Sequence, residues 1–285
     1  MLDSHPAMAI PPETHFVPDL LRLFKRAEPG PGRVAKRIAT SRRFGDLGLE
    51  RADLAKALNW VAPLDEGLAL RAFYDLYARR QGKRRWGEKT PGYGERMKLI
   101  SAALPEARFI HMIRDGRDVA LSYRRKEADP VAFTRIAVRW RRRVNATRRQ
   151  GEKVPHYIEL RYEDLVADPE AELRRVCEFI ELSFRPEMLA YHERAEERLA
   201  EIAKPLEAEE GKGEKEGKAG IEADRRLAAH QRVTEPISAD RVAVWEREMS
   251  EEDRAEFENK AGGLLAELGY EVPPATAPAD PPNLD

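Results

Sequence analysis

Three side chains that suit an anion occur close together in the middle of the chain, namely Arg114, Ser122 and Lys126. A guanidinium can hold two oxygens of one phosphate, and a hydroxyl and an ammonium can each donate a further hydrogen bond. Ser122 and Lys126 are spaced i, i+4, so on a helix they share one face. The three residue types together indicate a site for a phosphate-like group.

The elements around these residues would bring them to one edge of a sheet. The apolar run from Phe109 to Ile113 predicts a strand that is buried on both faces of a parallel sheet. Asp115-Gly116 predicts a turn, and residues 119–126 predict the start of a helix. Open α/β sheets present ligands at the carboxyl ends of their strands, where a helix N-terminus also favours an anion. The alternative is an ordinary strand-to-helix corner whose polar groups face water.

The composition favours a soluble α/β protein with a large helical surface. The chain has 285 residues, of which 42% are hydrophobic and 35% charged, and this size suits one large α/β domain, alone or with a helical cap. No run of about 18 apolar residues exists, so we expect no membrane span. No signal peptide is visible, and we expect a cytoplasmic protein.

The charges are unevenly distributed, although the net charge is only −1. Residues 108–149 contain 13 Lys or Arg and 4 Asp or Glu, which suggests an anionic ligand nearby, although such a helix more commonly has a solvated face. No nucleic-acid-reading motif accompanies this basic block, so we expect no nucleic-acid partner. The single cysteine, Cys177, and the scattered histidines form no zinc pattern, and we expect no metal.

Four separated blocks carry motifs whose order and separation are more specific than any one of them. They are Met1–His15, which contains Met-Leu-Asp-Ser-His-Pro and a Glu-Thr pair, Glu88–Pro91 (Glu-Lys-Thr-Pro), Arg114–Lys126 (Arg-Asp-Gly-Arg with the serine and lysine), and Tyr162–Leu165 (Tyr-Glu-Asp-Leu). Together the blocks resemble sulfotransferases that use 3′-phosphoadenosine-5′-phosphosulfate (PAPS), especially the tyrosylprotein type.

The resemblance implies a role for each matching residue. Glu13 is implied as the catalytic base, Lys89 as the cation at the reacting sulfate, and Tyr162 as the residue near the adenine. Arg114, Ser122 and Lys126 are implied as the anchor of the 3′-phosphate. PAPS is then the co-substrate, 3′,5′-ADP the product, and the acceptor a hydroxyl-bearing small molecule, sugar, lipid or peptide, with no metal involved.

The implied fold is α/β, with a P-loop-like three-layer parallel sheet flanked by helices and a helical cap. We expect a sulfotransferase-like domain over residues 1–270, in which residues 17–82 form the cap. Residues 204–222 are rich in Gly, Lys and Glu, which predicts a mobile loop, and the proline-rich residues 271–285 predict a disordered tail.

One part of the family pattern is missing from the sequence. Neither a Ser-Gly-Thr-Thr loop nor a Walker loop occurs, so we expect the first strand and the 5′-phosphosulfate loop to be absent. We expect Met1 to be an internal methionine or the start of a truncated chain, and sulfate transfer to be impaired. Two alternatives stay open, a non-catalytic paralogue that binds 3′-phosphonucleotides and another P-loop-type phosphate-transferring enzyme. The missing Walker lysine and magnesium-binding hydroxyl disfavour the second alternative.

Overall fold

The structure of the protein is a computed structural model that describes residues 1–41, 43–61, 63–125, 131–195 and 231–272. The strands are β1 (Met8–Ala9), β2 (Arg85–Trp86), β3 (Phe109–Ile113) and β4 (Tyr157–Arg161). The α-helices are α1 (Val17–Arg26), α2 (Pro31–Ala39), α3 (Arg51–Asn59), α4 (Glu66–Arg80), α5 (Met97–Ala103), α6 (Gly116–Arg124), α7 (Phe133–Gly151), α8 (Tyr162–Ala167), α9 (Pro169–Phe179), α10 (Trp245–Glu248) and α11 (Glu251–Glu267). Short 3-10 turns connect several of them, including Leu2–Ser4, Pro91–Arg96 and Ala239–Arg241.

The strands pair in parallel, as the sequence predicts for an α/β fold. β1 pairs with β2, with Met8 opposite Arg85, and β3 pairs with β4, with Phe109 opposite Tyr157. Within the described ranges these pairs form two separate two-stranded sheets. Helices occupy both the segment between β1 and β2 and the segment between β3 and β4, as the crossover connections of parallel strands require.

The prediction that β3 is buried on both faces is wrong. Ile113 is buried, but Met112 is 51% exposed, and the remaining residues of the strand are intermediate. Among the described residues β3 has a hydrogen-bonded neighbour on one side only, which is β4. An apolar sequence predicts a strand with hydrophobic side chains, but it does not predict how many other strands and helices cover that strand.

The region between β1 and β2 is helical, as expected for residues 17–82. α1 to α4 pack their apolar faces into one core, whose most buried members include Leu20, Ile38, Leu54, Leu70 and Phe73. The sequence predicts an apolar helix face from the spacing of Ala69, Ala72, Phe73, Leu76 and Tyr77. In α4 all of these are buried except Leu76, which is half-buried. The role of this region as a cap over an acceptor pocket stays a prediction.

A second core packs α6, the helix that begins within the Arg114–Lys126 block, against α7 and α11. Gly116 is the first residue of α6, and a Cβ atom there would lie 2.7 Å from both Phe257 and Trp140. Glycine is therefore required for this close approach of the helices. The neighbouring Arg117 is only 1% exposed, donates to Asp115 and Glu258, and lies with its guanidinium 3.5 Å from the ring centre of Trp245.

The third core lies between β4 and α9. The sequence predicts that Asp168 caps a helix with Pro169 as its first residue, and that Cys177 lies on the buried face of this helix. Asp168 accepts a hydrogen bond from the amide of Ala171, and Pro169 is the first residue of α9. Leu173, Val176 and Cys177 face the core, which confirms that the thiol is buried.

Two predicted helix starts differ from the structure. α6 begins at Gly116 instead of Val119, because the carboxylate of Asp115 accepts a hydrogen bond from the amide of Arg117 at 2.8 Å and caps the helix three residues earlier. From the sequence, Ser238 and Ser250 are each expected to start a helix. Ser250 caps α11, whereas Ser238 precedes only the single 3-10 turn Ala239–Arg241. Lys126, the predicted mobile loop 204–222 and residues 273–285 of the predicted tail lie outside the described residues. None of the described helices combines the length and apolar character that a bilayer crossing requires.

Candidate active site

Glu13 and Lys89 lie together at one edge of the β1–β2 sheet. Glu13 follows the end of β1 by four residues and Lys89 follows the end of β2 by three, and both strands run in the same direction. The ammonium of Lys89 donates a hydrogen bond of 2.5 Å to Oε1 of Glu13. Two residues that the sequence motifs single out separately are therefore an ion pair in the structure.

The second carboxylate oxygen of Glu13 faces a histidine. Nε2 of His15 lies 3.2 Å from Oε2, so the carboxylate has a nitrogen partner on each oxygen. The backbone of His15 has a φ of 55°, in the left-handed region that non-glycine residues rarely adopt. No sequence motif gives His15 a role, although it stands two residues after the implied base, which is the signal that could have indicated it.

The charges around Glu13 keep its carboxylate ionised. Burial raises the pKa of Glu13, but the hydrogen bond and charge of Lys89, together with the charges of His15 and Arg43, outweigh burial and hold the pKa below 4.5. At neutral pH the residue is thus a deprotonated carboxylate, the form that a general base needs.

A second carboxylate, that of the half-buried Glu88, directly precedes Lys89 in the chain. Thr90 Oγ1 donates a hydrogen bond to its Oε1, and Tyr74 Oη donates to its Oε2 at 3.3 Å. Tyr74 Oη in turn lies 3.2 Å from Thr14 Oγ1, so Thr14 is linked to Glu88 through this phenol. Burial raises the pKa of Glu88 to about 7, even though these donors act to lower it. Sequence reasoning missed this group, because the Glu-Lys-Thr-Pro motif draws attention to its lysine.

Arg114 and Tyr162 meet at the edge of the other sheet. Each follows the last residue of its strand, and those last residues, Ile113 and Arg161, are register partners in the β3–β4 pair. The Arg114 guanidinium lies 4.8 Å from the centre of the Tyr162 ring, a cation–π distance. The structure therefore brings together two of the four residues predicted to bind the nucleotide.

The other two nucleotide residues are placed less completely. Ser122 lies on α6 and is half-buried, and no hydrogen bond joins it to Arg114 within the described part of the chain. Lys126 is outside that part. The predicted arrangement of three donors around one phosphate stays a prediction.

The C-terminal segment packs against Arg114. The guanidinium donates a hydrogen bond to the backbone carbonyl of Arg241 and lies 3.6 Å from the carboxylate of Asp118. Asp118 in turn accepts a hydrogen bond of 2.9 Å from the amide of Trp245. A cavity of about 490 Å³ lies beside this contact and is lined by Arg125, Glu235, Asp240, Arg241 and Glu248. Sequence reasoning missed these links, since nothing in the motif points to a partner more than a hundred residues away.

No group of His, Cys, Asp and Glu side chains is arranged to hold a metal ion in the ranges that the structure describes. The site as described consists of a carboxylate–ammonium pair at the edge of the β1–β2 sheet and a guanidinium against an aromatic ring at the edge of the β3–β4 sheet. A carboxylate beside a cation suits the removal of a proton from a hydroxyl group while negative charge develops on a neighbouring oxygen.

Comparison with known structures supports the fold. The chain superposes on the sulfotransferase domain from the Synechococcus PCC 7002 olefin synthase with a TM-score of 0.58 and 20% sequence identity, over 95% of this chain and 89% of that domain. At this level of identity the similarity shows the α/β fold alone.

Two curated relatives also align with the chain. Protein-tyrosine sulfotransferase A of Caenorhabditis elegans is 23% identical over 99% of this chain, and a putative protein-tyrosine sulfotransferase of Caenorhabditis briggsae is 29% identical over 34% of it. The chain spans 64% of the length of the first relative and 37% of the second.

Family models match nearly the whole described chain. The model described as the sulfotransferase family matches residues 1–186, and that described as a sulfotransferase domain matches residues 138–269. The first match covers well over half of the 285 residues and includes all the residues predicted from the motifs. The chain therefore belongs to the sulfotransferase family.

Proposed function

We propose that the protein transfers a sulfuryl group from PAPS to a hydroxyl acceptor. The observation that carries this proposal is the Glu13–Lys89 ion pair, which sits at the carboxyl edge of parallel strands in a member of the sulfotransferase family. A base and a cation 2.5 Å apart can act on the attacking and the leaving oxygen of one small reacting group.

In the proposed reaction each residue acts on a named atom. The carboxylate of Glu13 takes the proton of the acceptor hydroxyl as its oxygen forms a bond to sulfur. The bond between sulfur and the bridging oxygen of the 5′-phosphate breaks, and that oxygen leaves with the bonding electrons. The ammonium of Lys89 stabilises the negative charge on the leaving oxygen, and the products are the sulfated acceptor and 3′,5′-ADP.

His15 has a supporting part in this proposal. Its imidazole lies on the Glu13 oxygen that Lys89 does not contact, so it fixes the plane of the carboxylate. When Lys89 turns toward the leaving oxygen, His15 keeps the carboxylate oriented toward the acceptor hydroxyl.

The nucleotide would be held by the β3–β4 edge. In the proposal Arg114 binds the 3′-phosphate, with Ser122 and Lys126 as further donors, and Tyr162 covers the adenine. The support is the cation–π contact between Arg114 and Tyr162, which places a phosphate-binding fork next to an aromatic surface.

The acceptor class follows from the relatives. Because both curated relatives carry the name protein-tyrosine sulfotransferase, a tyrosine hydroxyl on a peptide is the first acceptor to test, followed by sugars, lipids and small phenols or alcohols.

The test is a transfer assay with purified protein and PAPS labelled with sulfur-35. We expect labelled acceptor and an equal amount of 3′,5′-ADP, and we expect Glu13→Gln to lower kcat by about 10²- to 10⁴-fold because the amide accepts no proton. Binding of 3′,5′-ADP without transfer to any acceptor class would contradict the proposal and would instead indicate a non-catalytic nucleotide-binding protein.

A further inference from the structure

Glu88 is placed between the two segments that carry the proposed catalytic pair. It directly precedes Lys89, and its hydrogen-bond partner Thr90 directly follows Lys89. Thr14, which directly follows Glu13, is linked to the same carboxylate through the hydroxyl of Tyr74. The carboxylate of Glu88 is thus connected to both segments at the positions next to the reacting side chains, directly at Thr90 and through Tyr74 at Thr14.

The hydroxyl groups around Glu88 are buried, whereas Glu88 itself is half-buried. Thr14 and Thr90 are buried, at 1% and 7% exposure. Thr14 Oγ1 lies 3.2 Å from Tyr74 Oη and 3.3 Å from Tyr93 Oη, so the hydroxyls form a continuous network around the carboxylate. Side chains in such a network have few alternative partners, and a change at one member is transmitted to the others.

The titratable groups that face Glu88 are two phenols. Tyr74 comes from α4 and Tyr93 from the turn after Pro91, and burial raises the pKa of both above the ordinary value, that of Tyr93 to about 12. Both phenols are therefore neutral near pH 7. The nearest charged residues along the two segments are Lys89, which follows Glu88, and Glu13, which precedes Thr14. Among the described residues no cation forms an ion pair with Glu88.

We propose that Glu88 is a positioning residue for sulfuryl transfer, whose ionised carboxylate binds Thr90 directly and Thr14 through Tyr74, and so holds Glu13 against Lys89. This inference rests on the function proposed above. Glu88 touches neither reacting atom in this role, since it acts through the two threonines.

The hydrogen bonds that Glu88 accepts depend on the ionisation state of its carboxyl group. As a carboxylate, Glu88 only accepts hydrogen bonds, which matches the donors that surround it. Protonation puts a hydrogen on one oxygen, and a donor that pointed at this oxygen loses its partner. Because the pKa of Glu88 is raised to about 7, this change falls inside the range in which enzymes are assayed. Turnover should therefore rise with pH through about 7.

The experiment compares kcat and KM between pH 5.5 and 9 in the wild type and three variants. In wild type, kcat should rise through about pH 7. In Glu88→Gln the rise should be absent, and kcat at pH 8.5 should be about 10- to 100-fold below wild type with KM for PAPS little changed, as expected for a misplaced reacting pair. In Thr90→Val the rise should move to higher pH, because Thr90 lowers the pKa of Glu88.

The matched control is Glu95→Gln, an exposed glutamate seven residues along the same segment, whose profile should equal that of wild type. A rise near pH 7 that persists in Glu88→Gln would overturn the inference, because another group would then be titrating.

A second readout separates this inference from the proposed function. If wild type transfers no sulfate at any pH, the proposed function fails. The role of Glu88 is then tested by the free energy of unfolding. The difference in this free energy between wild type and Glu88→Gln should change between pH 5.5 and 8.5. A difference that is constant over this range would show that Glu88 does not titrate there and would overturn the inference.

Discussion

The ammonium of Lys89 lies 2.5 Å from the carboxylate of Glu13, although 76 positions separate the two residues in the chain. Four helices occupy the intervening segment, and the parallel pairing of β1 with β2 returns the chain to the same sheet edge. The pair is therefore a product of topology. Its two members belong to different sequence motifs, and each is weak evidence without the other.

Lys89 should contribute mainly to the rate of transfer. We expect Lys89→Ala to lower kcat by about 10²- to 10³-fold, with a smaller change in KM, because the ammonium stabilises charge that develops in the transition state. Steady-state kinetics with PAPS measure both constants. Lys98→Ala, at an exposed lysine on α5, is the control and should behave as wild type. Equal kcat values in the two variants would remove Lys89 from the proposed reaction.

Arg114 should control the affinity for the nucleotide. We expect Arg114→Ala to weaken binding of 3′,5′-ADP about 10- to 100-fold, since hydrogen bonds to a charged group contribute about 1.5–3 kcal/mol. Arg114→Lys should recover only part of the affinity because it keeps the charge and loses the planar fork. Isothermal titration calorimetry gives the dissociation constants, and Arg142→Ala, an exposed arginine on α7, is the control. Unchanged affinity in Arg114→Ala would disprove the anchoring role.

Gly116 should be intolerant of even the smallest side chain. A Cβ atom there would lie 2.7 Å from Phe257 and from Trp140, so Gly116→Ala should lower the free energy of unfolding by about 1–3 kcal/mol. Gly263→Ala on α11 is the matched control, because nothing lies within 4 Å of its Cβ position, and it should be neutral or stabilising by about 0.5–1 kcal/mol. Denaturant unfolding measures both, and equal values would contradict the close packing of α6.

The stability of the protein should depend on pH through Glu88. Burial raises the pKa of Glu88 from 4.5 to about 7, so the folded state binds a proton more tightly than the unfolded state. The contribution of this group is therefore fully present below about pH 4.5 and is lost as pH rises to about 7, by up to about 3 kcal/mol. Urea unfolding at several pH values should show this loss in wild type and its absence in Glu88→Gln.

The family, the parallel strand pairs and the Glu13–Lys89 and Arg114–Tyr162 neighbours all follow from motifs in the sequence. These residues can be identified from the sequence because each stands in a short motif at a fixed distance from the end of a strand. The helical character of residues 17–82 follows in the same way from the spacing of its apolar residues.

Glu88 and Arg117 show what such patterns leave out. Both are charged members of a motif, and by type alone each would be expected at the surface. Glu88 is half-buried because Tyr74 packs against it from α4, and Arg117 is buried because Trp245 and Glu258 contact it from the C-terminal helices. Their environments are set by long-range packing, which no local pattern records. Met112 is the converse case, an apolar residue whose strand lacks a covering neighbour.

The separation of the strands into two sheets has a consequence for turnover. In the proposed assignment, the residues for proton removal and charge neutralisation, Glu13 and Lys89, lie at the β1–β2 sheet. The residue that binds the 3′-phosphate, Arg114, lies at the β3–β4 sheet. An intact donor molecule then contacts both sheets, and so does the spent nucleotide, because the oxygen that Lys89 stabilises stays on its 5′-phosphate. Release of the by-product therefore requires the contacts at both sheets to break.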